Sequence, residues 1–247
     1  MAPQRLIVGI SGASGAIYAE RMLSALGRTQ HQVEVVASKL GGEIFRQETG
    51  RQLTKFLDEL ESAGARVHLW DPMDLYAPFS SGTQKYDAMA VVPCSGGALG
   101  RIAHGVSTDL LSRAADVCLK ENRKLVLLVR EAPLSEIHLC NMLLLRRAGA
   151  VILPASPGFY SHPKDLVELA DSLVQRVLDH MGVELRVFRR WREKTGEGRE
   201  RGGQVRDAQR ASRSGSGGET DAMAPHFLED TRDTGGDAWG PSSGPDE

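Results

Sequence analysis

The chain has 247 residues, 41% of them hydrophobic and 25% charged, which suits one α/β domain with a sizeable core and excludes wholesale disorder. Lys plus Arg number 30 against 32 Asp plus Glu, and this net charge of −2 gives no general attraction for nucleic acid. The absence of an 18-residue apolar run, the lack of a cleavable-signal pattern in Met1-Ala-Pro-Gln-Arg5, and three cysteines (Cys94, Cys118, Cys140) without CxxC spacing predict a cytoplasmic protein with no membrane span, disulfide framework or zinc site.

A strand is predicted over 5–10, and Gly9-Ile-Ser-Gly-Ala-Ser-Gly15 leads from it into a helix over 16–26. Glycines let a backbone approach a ligand, amides at a helix start favour phosphate, and Ser14 adds a hydroxyl. The other reading is a tight turn without a ligand. The spacing is not that of a P-loop and meets the dinucleotide fingerprint only in part. A strand over 32–37 passes through Ser38-Lys39 into a helix over 39–48. A dinucleotide site would place a ribose-binding acid near here. Serine and lysine instead suit a second phosphate or a ring edge, or Ser38 is an ordinary N-cap. A helix over 52–62 and a strand over 66–69 follow.

A strand over 87–93 ends in Pro93-Cys-Ser-Gly-Gly-Ala98, a second small-residue turn, before a helix over 97–104. The helix over 107–122 carries Arg113 and Lys120 on nearly one face with Asp116 between them, which reads as an ion-pair ladder or as two cations for a ligand. A strand over 124–130 ends in Arg130-Glu131, where Arg130 can neutralise a phosphate and Glu131 can exchange a proton. A helix over 134–148, a strand over 150–154, a loop carrying Tyr160 and a helix over 163–181 carrying Arg176 complete the alternation. The seven histidines show no HExxH or paired spacing, so no catalytic metal is expected, and His104, His138, His162 and His180 read as structural or exposed. From Arg192 onward 11 of the 27 glycines occur among 8 basic and 12 acidic residues, a composition that predicts a disordered tail over 192–247.

Strands alternating with helices, several of them unbroken apolar runs, predict an α/β fold: a Rossmann-like, flavodoxin-type three-layer sandwich with a mostly parallel sheet. Ligands then bind beyond the carboxyl ends of the strands, where the motifs above fall.

Those motifs, together with Ser112-Arg-Ala-Ala-Asp-Val117, Pro133-Leu134, Ile137-His-Leu139, Asn141-Met142 and Pro154 through Pro163, resemble the UbiX-type flavin prenyltransferases over residues 5–191. This family lies within the flavoprotein superfamily that includes cysteine-type decarboxylases. The resemblance implies transfer of the dimethylallyl group of dimethylallyl monophosphate to N5 and C6 of reduced FMN without a metal. The prenylated FMN produced serves a UbiD-type decarboxylase. It implies a homo-oligomer, commonly a dodecamer, and an FMN site at Gly12, Ala13, Ser14, Ser38, Ser95, Gly96, Gly97, Ala98 and Arg113. Lys120, Arg130, Tyr160 and Arg176 would meet the prenyl phosphate, with Glu131 and Glu48 as acid–base carboxylates and Ser14 assisting. The family usually has a bulky residue, then Lys or Ser, then Thr where this chain has Gly96, Gly97 and Ala98. That departure keeps open a non-catalytic FMN-binding companion subunit. A cysteine-type decarboxylase lacks support because no Pro-x-Met-Asn motif is present, and an NAD-linked dehydrogenase lacks its ribose acid.

Overall fold

A computed structural model describes residues 2–189; the expected tail over 192–247 lies outside the described residues. Six strands, β1 (Arg5–Ile10), β2 (Gln32–Ala37), β3 (Arg66–Trp70), β4 (Ala88–Cys94), β5 (Lys124–Val129) and β6 (Val151–Pro154), form one sheet in the order β3-β2-β1-β4-β5-β6, every pair parallel. Parallel strands need crossovers, and among the described residues α1 (Ala16–Leu26), α2 (Lys39–Thr49), α3 (Leu53–Ser62), α4 (Gly96–Ala103), α5 (Leu110–Lys120) and α6 (Glu136–Arg147) supply four of the five, a loop with one 3-10 turn joins β3 to β4, and α7 (Leu166–Met181) follows β6. All thirteen predicted elements are present, and no boundary moves by more than three residues. The fifth helix begins at Leu110 because Asp109 caps it, its carboxylate accepting from the Ser112 amide at 2.7 Å.

The apolar runs alternate between two cores. Leu6, Val8 and Ile10 of β1, Ala88, Ala90 and Val92 of β4, and Val126 and Leu128 of β5 pack with α1, α2, α3 and α7. Ile7, Met89, Val91, Leu125, Leu127 and Val129 point the other way, into a second core with α4 and α5. A strand covered on both faces has no polar side to display, so its sequence reads as a continuous apolar run. The register of β4 on β5 shifts between Val91 and Cys94, where Pro93 has no N–H to donate.

Two polar ties fasten the first layer. Arg21 of α1 makes a two-pronged pair with the buried Asp171 of α7, both contacts 2.8 Å. The buried Gln175 amide accepts from the amides of Val187 and Phe188 and donates to the Leu185 carbonyl, holding the segment after α7.

At Gly41 in the first turn of α2, an added Cβ would stand 2.5 Å from the Ile10 carbonyl oxygen, so α2 can lie against the end of β1 only with glycine there. The neighbouring Gly42 faces open space. Gly41→Ala is therefore expected to cost about 1–3 kcal/mol by overpacking, while Gly42→Ala stabilises by about 0.5–1 kcal/mol. Urea unfolding of both variants checks the pair; equal midpoints would remove the close approach as a constraint.

Candidate functional site

The sheet order places β1 beside β4, with the connection from β1 leaving toward β2 and that from β4 toward β5. The gap between those two carboxyl ends is the switch point of the fold, where ligands settle in open α/β sheets. Three turns converge on this edge: Ser11–Gly15 into α1, Ser38 into α2, and Ser95 into α4.

Ser11, which the sequence reading passed over, pins two of these turns together. Its hydroxyl, 1% exposed, donates to the Pro93 carbonyl at 2.9 Å and accepts from the Ser95 amide at 2.8 Å. Ser38 and Ser95 are N-caps, their hydroxyls accepting from the amides of Gly41 (3.0 Å) and Ala98 (3.2 Å). Gly15 caps α1 at φ 109°, a left-handed conformation that favours glycine. None of α1, α2 and α4 carries an acidic residue in its own first turn, which leaves the positive ends of α2 and α4 available to an anion, while that of α1 receives Glu48 from α2.

Glu48 folds back from the end of α2 onto the start of α1. Its Oε2 accepts from the Ala16 amide at 2.7 Å and the Gly15 amide at 2.9 Å. Burial pushes this carboxyl up, but hydrogen bonds from the Ser14 side chain and those two amides, with the charge of Arg130, outweigh it and hold it below the ordinary value of 4.5. Arg130 extends its field to Tyr18 as well, whose phenol burial pushes up. Residues 14, 18, 48 and 130 thus form one cluster, of which Tyr18 was not expected.

Glu131 follows directly and faces the β4–α4 turn, its Oε2 within 2.8 Å of where a Cβ on Gly96 would stand. Gly97 is open, its nearest neighbour for a Cβ being Arg101 at 3.8 Å. Beyond Ser38 and Lys39, a cavity of about 860 Å³ opens at the ends of β2 and β3, lined also by Arg46, Leu53, Trp70 and Asp109. Of the expected site residues only Ser38 reaches it.

The remaining cations lie apart from this edge within one chain. Arg113 pairs with Asp116 at 3.0 Å and donates through Nε to the Ser80 carbonyl, so the ion-pair reading holds for that residue. Lys120 pairs with Glu121 at 2.7 Å instead of Asp116. Because α5 runs opposite to the strands, Lys120 lies where β5 begins and Glu131 lies past its end. A strand of that length separates them by about 20 Å within one chain. Arg176 lies exposed ten residues beyond the start of α7, about 15 Å along it. Tyr160 is exposed in the loop before α7, next to the exposed Phe159. One chain gathers Gly12, Ala13, Ser14, Ser38, Glu48, Ser95, Gly96, Gly97, Ala98, Arg130 and Glu131 at the switch edge, but does not bring Lys120 and Arg176 to it.

A carboxylate held below its ordinary value contributes stability above that value and loses it as pH falls through the folded one. The difference in thermal stability between the natural protein and Glu48→Gln is therefore expected to hold steady from pH 7 to about pH 5. It should shrink as the pH falls below the ordinary value of 4.5. A difference unchanged down to pH 3 would show that the Glu48 charge adds nothing to the α1 turn.

With this geometry in hand, comparison with known proteins is specific. Residues 1–178 match the Flavoprotein family. A flavin prenyltransferase UbiX from Alkalihalophilus pseudofirmus is 44% identical over 194 residues, covering 76% of this chain and 96% of that protein. The crystal structure of AnUbiX (PadA1) in complex with FMN and dimethylallyl pyrophosphate superposes with a TM-score of 0.72 at 40% identity, covering 78% of this chain and all of that one. A dodecameric FMN-dependent UbiX-like decarboxylase from Escherichia coli O157:H7 gives 0.71 at 40% identity over 76% of this chain and all of that one. The chain belongs to the UbiX flavin prenyltransferase family of flavoproteins.

Proposed function

We propose that this chain is a flavin prenyltransferase that joins the dimethylallyl group of dimethylallyl monophosphate to N5 and C6 of reduced FMN. The observation that carries this reading is the cluster of Ser14, Glu48, Arg130 and Glu131 at the switch point, in a chain that belongs to the family. The residues present suit FMN. The starts of α2 and α4 with no acid in their own first turns, hydroxyls at Ser14, Ser38 and Ser95, and an open backbone at Gly97 match a phosphate at one end and a flat polar ring at the other. Gly12, Ala13, Ser14 and Ser38 would hold one end, and Ser95, Gly96, Gly97, Ala98 and Arg113 the other. Reduced FMN supplies the electron-rich N5 and C6 that accept the prenyl carbons.

The protein's own groups make the monophosphate a leaving group. Arg130 neutralises its charge, and Lys120, Tyr160 and Arg176 hold its oxygens. Glu131 carries a proton to the departing phosphate oxygen and, as a carboxylate, takes one up when C6 is substituted. Glu48, kept ionised by the amides and by Ser14, works on the base side, with the Ser14 hydroxyl as its link to the phosphate. Exclusion of water protects the allylic carbon from hydrolysis.

Because one chain separates Lys120 and Arg176 from Glu131, a complete site takes these residues from other copies of the chain. Large apolar side chains on the surface support a homo-oligomer: Tyr76 is 99% exposed, and Met73, Ile137, Phe159 and Leu166 are each more than two-thirds exposed. An assembly of the dodecameric kind fits this requirement. The prenylated FMN passes to a UbiD-type decarboxylase, and the three free cysteines support a reducing, cytoplasmic setting. Among the described residues no helix is long and apolar enough to cross a membrane.

Anaerobic incubation with reduced FMN and dimethylallyl monophosphate, followed by mass spectrometry of the released flavin, tests the reaction. A flavin heavier by one prenyl unit is expected, with phosphate liberated; unmodified flavin on a protein that binds FMN tightly would instead support a companion subunit. Glu131→Gln is expected to retain flavin and lose about 100-fold or more in turnover. Lys120→Ala should weaken prenyl-phosphate binding more than FMN binding. Co-assembly of these two impaired variants should restore part of the activity, since some sites then draw an intact Lys120 and an intact Glu131 from different chains. No recovery in proven mixed oligomers would confine the site to one chain.

A further inference from the structure

Gly96 opens α4, and the space its missing side chain leaves is already taken. A Cβ built there would stand 2.6 Å from Nε2 of His138 and 2.8 Å from Oε2 of Glu131. Two polar groups, one from the first turn of α6 and one from the loop after β5, therefore meet over a residue that has no side chain. No direct hydrogen bond joins the two atoms, and the gap between them is one that a single bridging water spans.

The protonation of the imidazole follows from its other side. The Ser135 amide donates to His138 Nδ1 at 3.2 Å, while the Ser135 hydroxyl accepts from the His138 amide at 3.3 Å, a reciprocal cap at the start of α6. Nδ1 is thus an acceptor, so the neutral ring carries its proton on Nε2, the atom that faces Glu131. The surrounding charged and titratable groups are Arg130 beside Glu131, Glu136 on α6, and Arg101 and His104 on the packed α4. Arg101 pairs with Asp109 at 3.6 Å and His104 contacts Asn141 at 3.0 Å, so both are engaged elsewhere.

We propose that His138 is a positioning residue for Glu131, its Nε2–H directed at the Glu131 carboxylate across Gly96, and that glycine at 96 is what lets the two meet. The role rests on Glu131 being the proton-transfer carboxyl of the reaction above. It gives the unusual Gly96 a purpose: the turn trades a side-chain wall for a histidine that orients the carboxyl. Any side chain at 96 must push one or both groups away.

Three variants and one spectrometric measurement test this. His138→Glu keeps the acceptor for the Ser135 amide but has no donor for Glu131. Gly96→Val fills the shared space. Both are expected to lower kcat by about tenfold or more, and His138→Glu to do so with flavin retention and KM for dimethylallyl monophosphate unchanged. His138→Gln keeps both the cap acceptor and an N–H donor and is expected to recover most of the loss. A wild-type kcat in His138→Glu overturns the proposal. Independently of turnover, carbodiimide labelling of the Glu131 carboxyl, read by peptide mass spectrometry, reports how that group is held. Labelling is expected to rise several-fold in His138→Glu and to stay near the natural level in His138→Gln. Equal labelling in all three proteins overturns the proposal whether or not the protein transfers prenyl groups. Raised labelling in a protein that transfers none supports the contact and overturns the catalytic reading of Glu131.

Discussion

The site depends on one buried hydroxyl. Where the chain parts to left and right between β1 and β4, two strand ends stop side by side, and their outgoing turns have no sheet partner to pair with. Ser11 supplies what the sheet no longer can, donating to Pro93 and accepting from the Ser95 amide. A buried polar group left unpaired costs about 1–3 kcal/mol, so this exchange holds both turns in fixed relation. Ser14 and the start of α1 sit on one side of that pin, Gly96 and the start of α4 on the other.

Electrostatics then divides the site into a part each chain owns and a part it lacks. The start of α1 would draw any anion, and the chain puts its own carboxylate, Glu48, on the Gly15 and Ala16 amides. Arg130 lies within range of that carboxylate, which makes a compact cluster of alternating charge inside one subunit. Lys120 is at the other end of β5 and Arg176 well along α7, each set there by the direction of its helix. The same antiparallel running of helix against strand that closes the two cores also carries these cations away from the sheet edge. In the proposed assembly repeated copies of the chain would resolve the conflict, and the apolar residues exposed on α6 and the loops offer surfaces for it.

The two carboxyls differ because their surroundings differ. Glu48 receives main-chain amides at a helix start and is held as the anion. Glu131 stands over the Gly96 turn, opposite an imidazole and beside Arg130. Two acids within one fold can in this way serve opposite halves of a proton-transfer cycle.

Much of this was legible in the amino-acid order. Unbroken apolar runs marked the strands because both faces of the sheet are covered, and small-residue turns after β1 and β4 marked the ligand edge because only small residues allow close approach. The family could be read from motif order alone. Gly15, Ser38, Ser95 and the Arg130-Glu131 pair stood where the strand ends placed them. Other features required the tertiary structure. Ser11 looks like any turn serine until Pro93 and Ser95, over 80 residues later, come beside it. His138 read as a structural histidine because nothing local shows that its ring crosses to Gly96 and Glu131. Arg113 and Lys120 lie on one helical face, yet a ligand edge is set by the direction of the strands, and helix spacing carries no record of which end of the sheet a residue will reach. Local spacing determines the element and its face; only the packed sheet decides which faces and ends become neighbours.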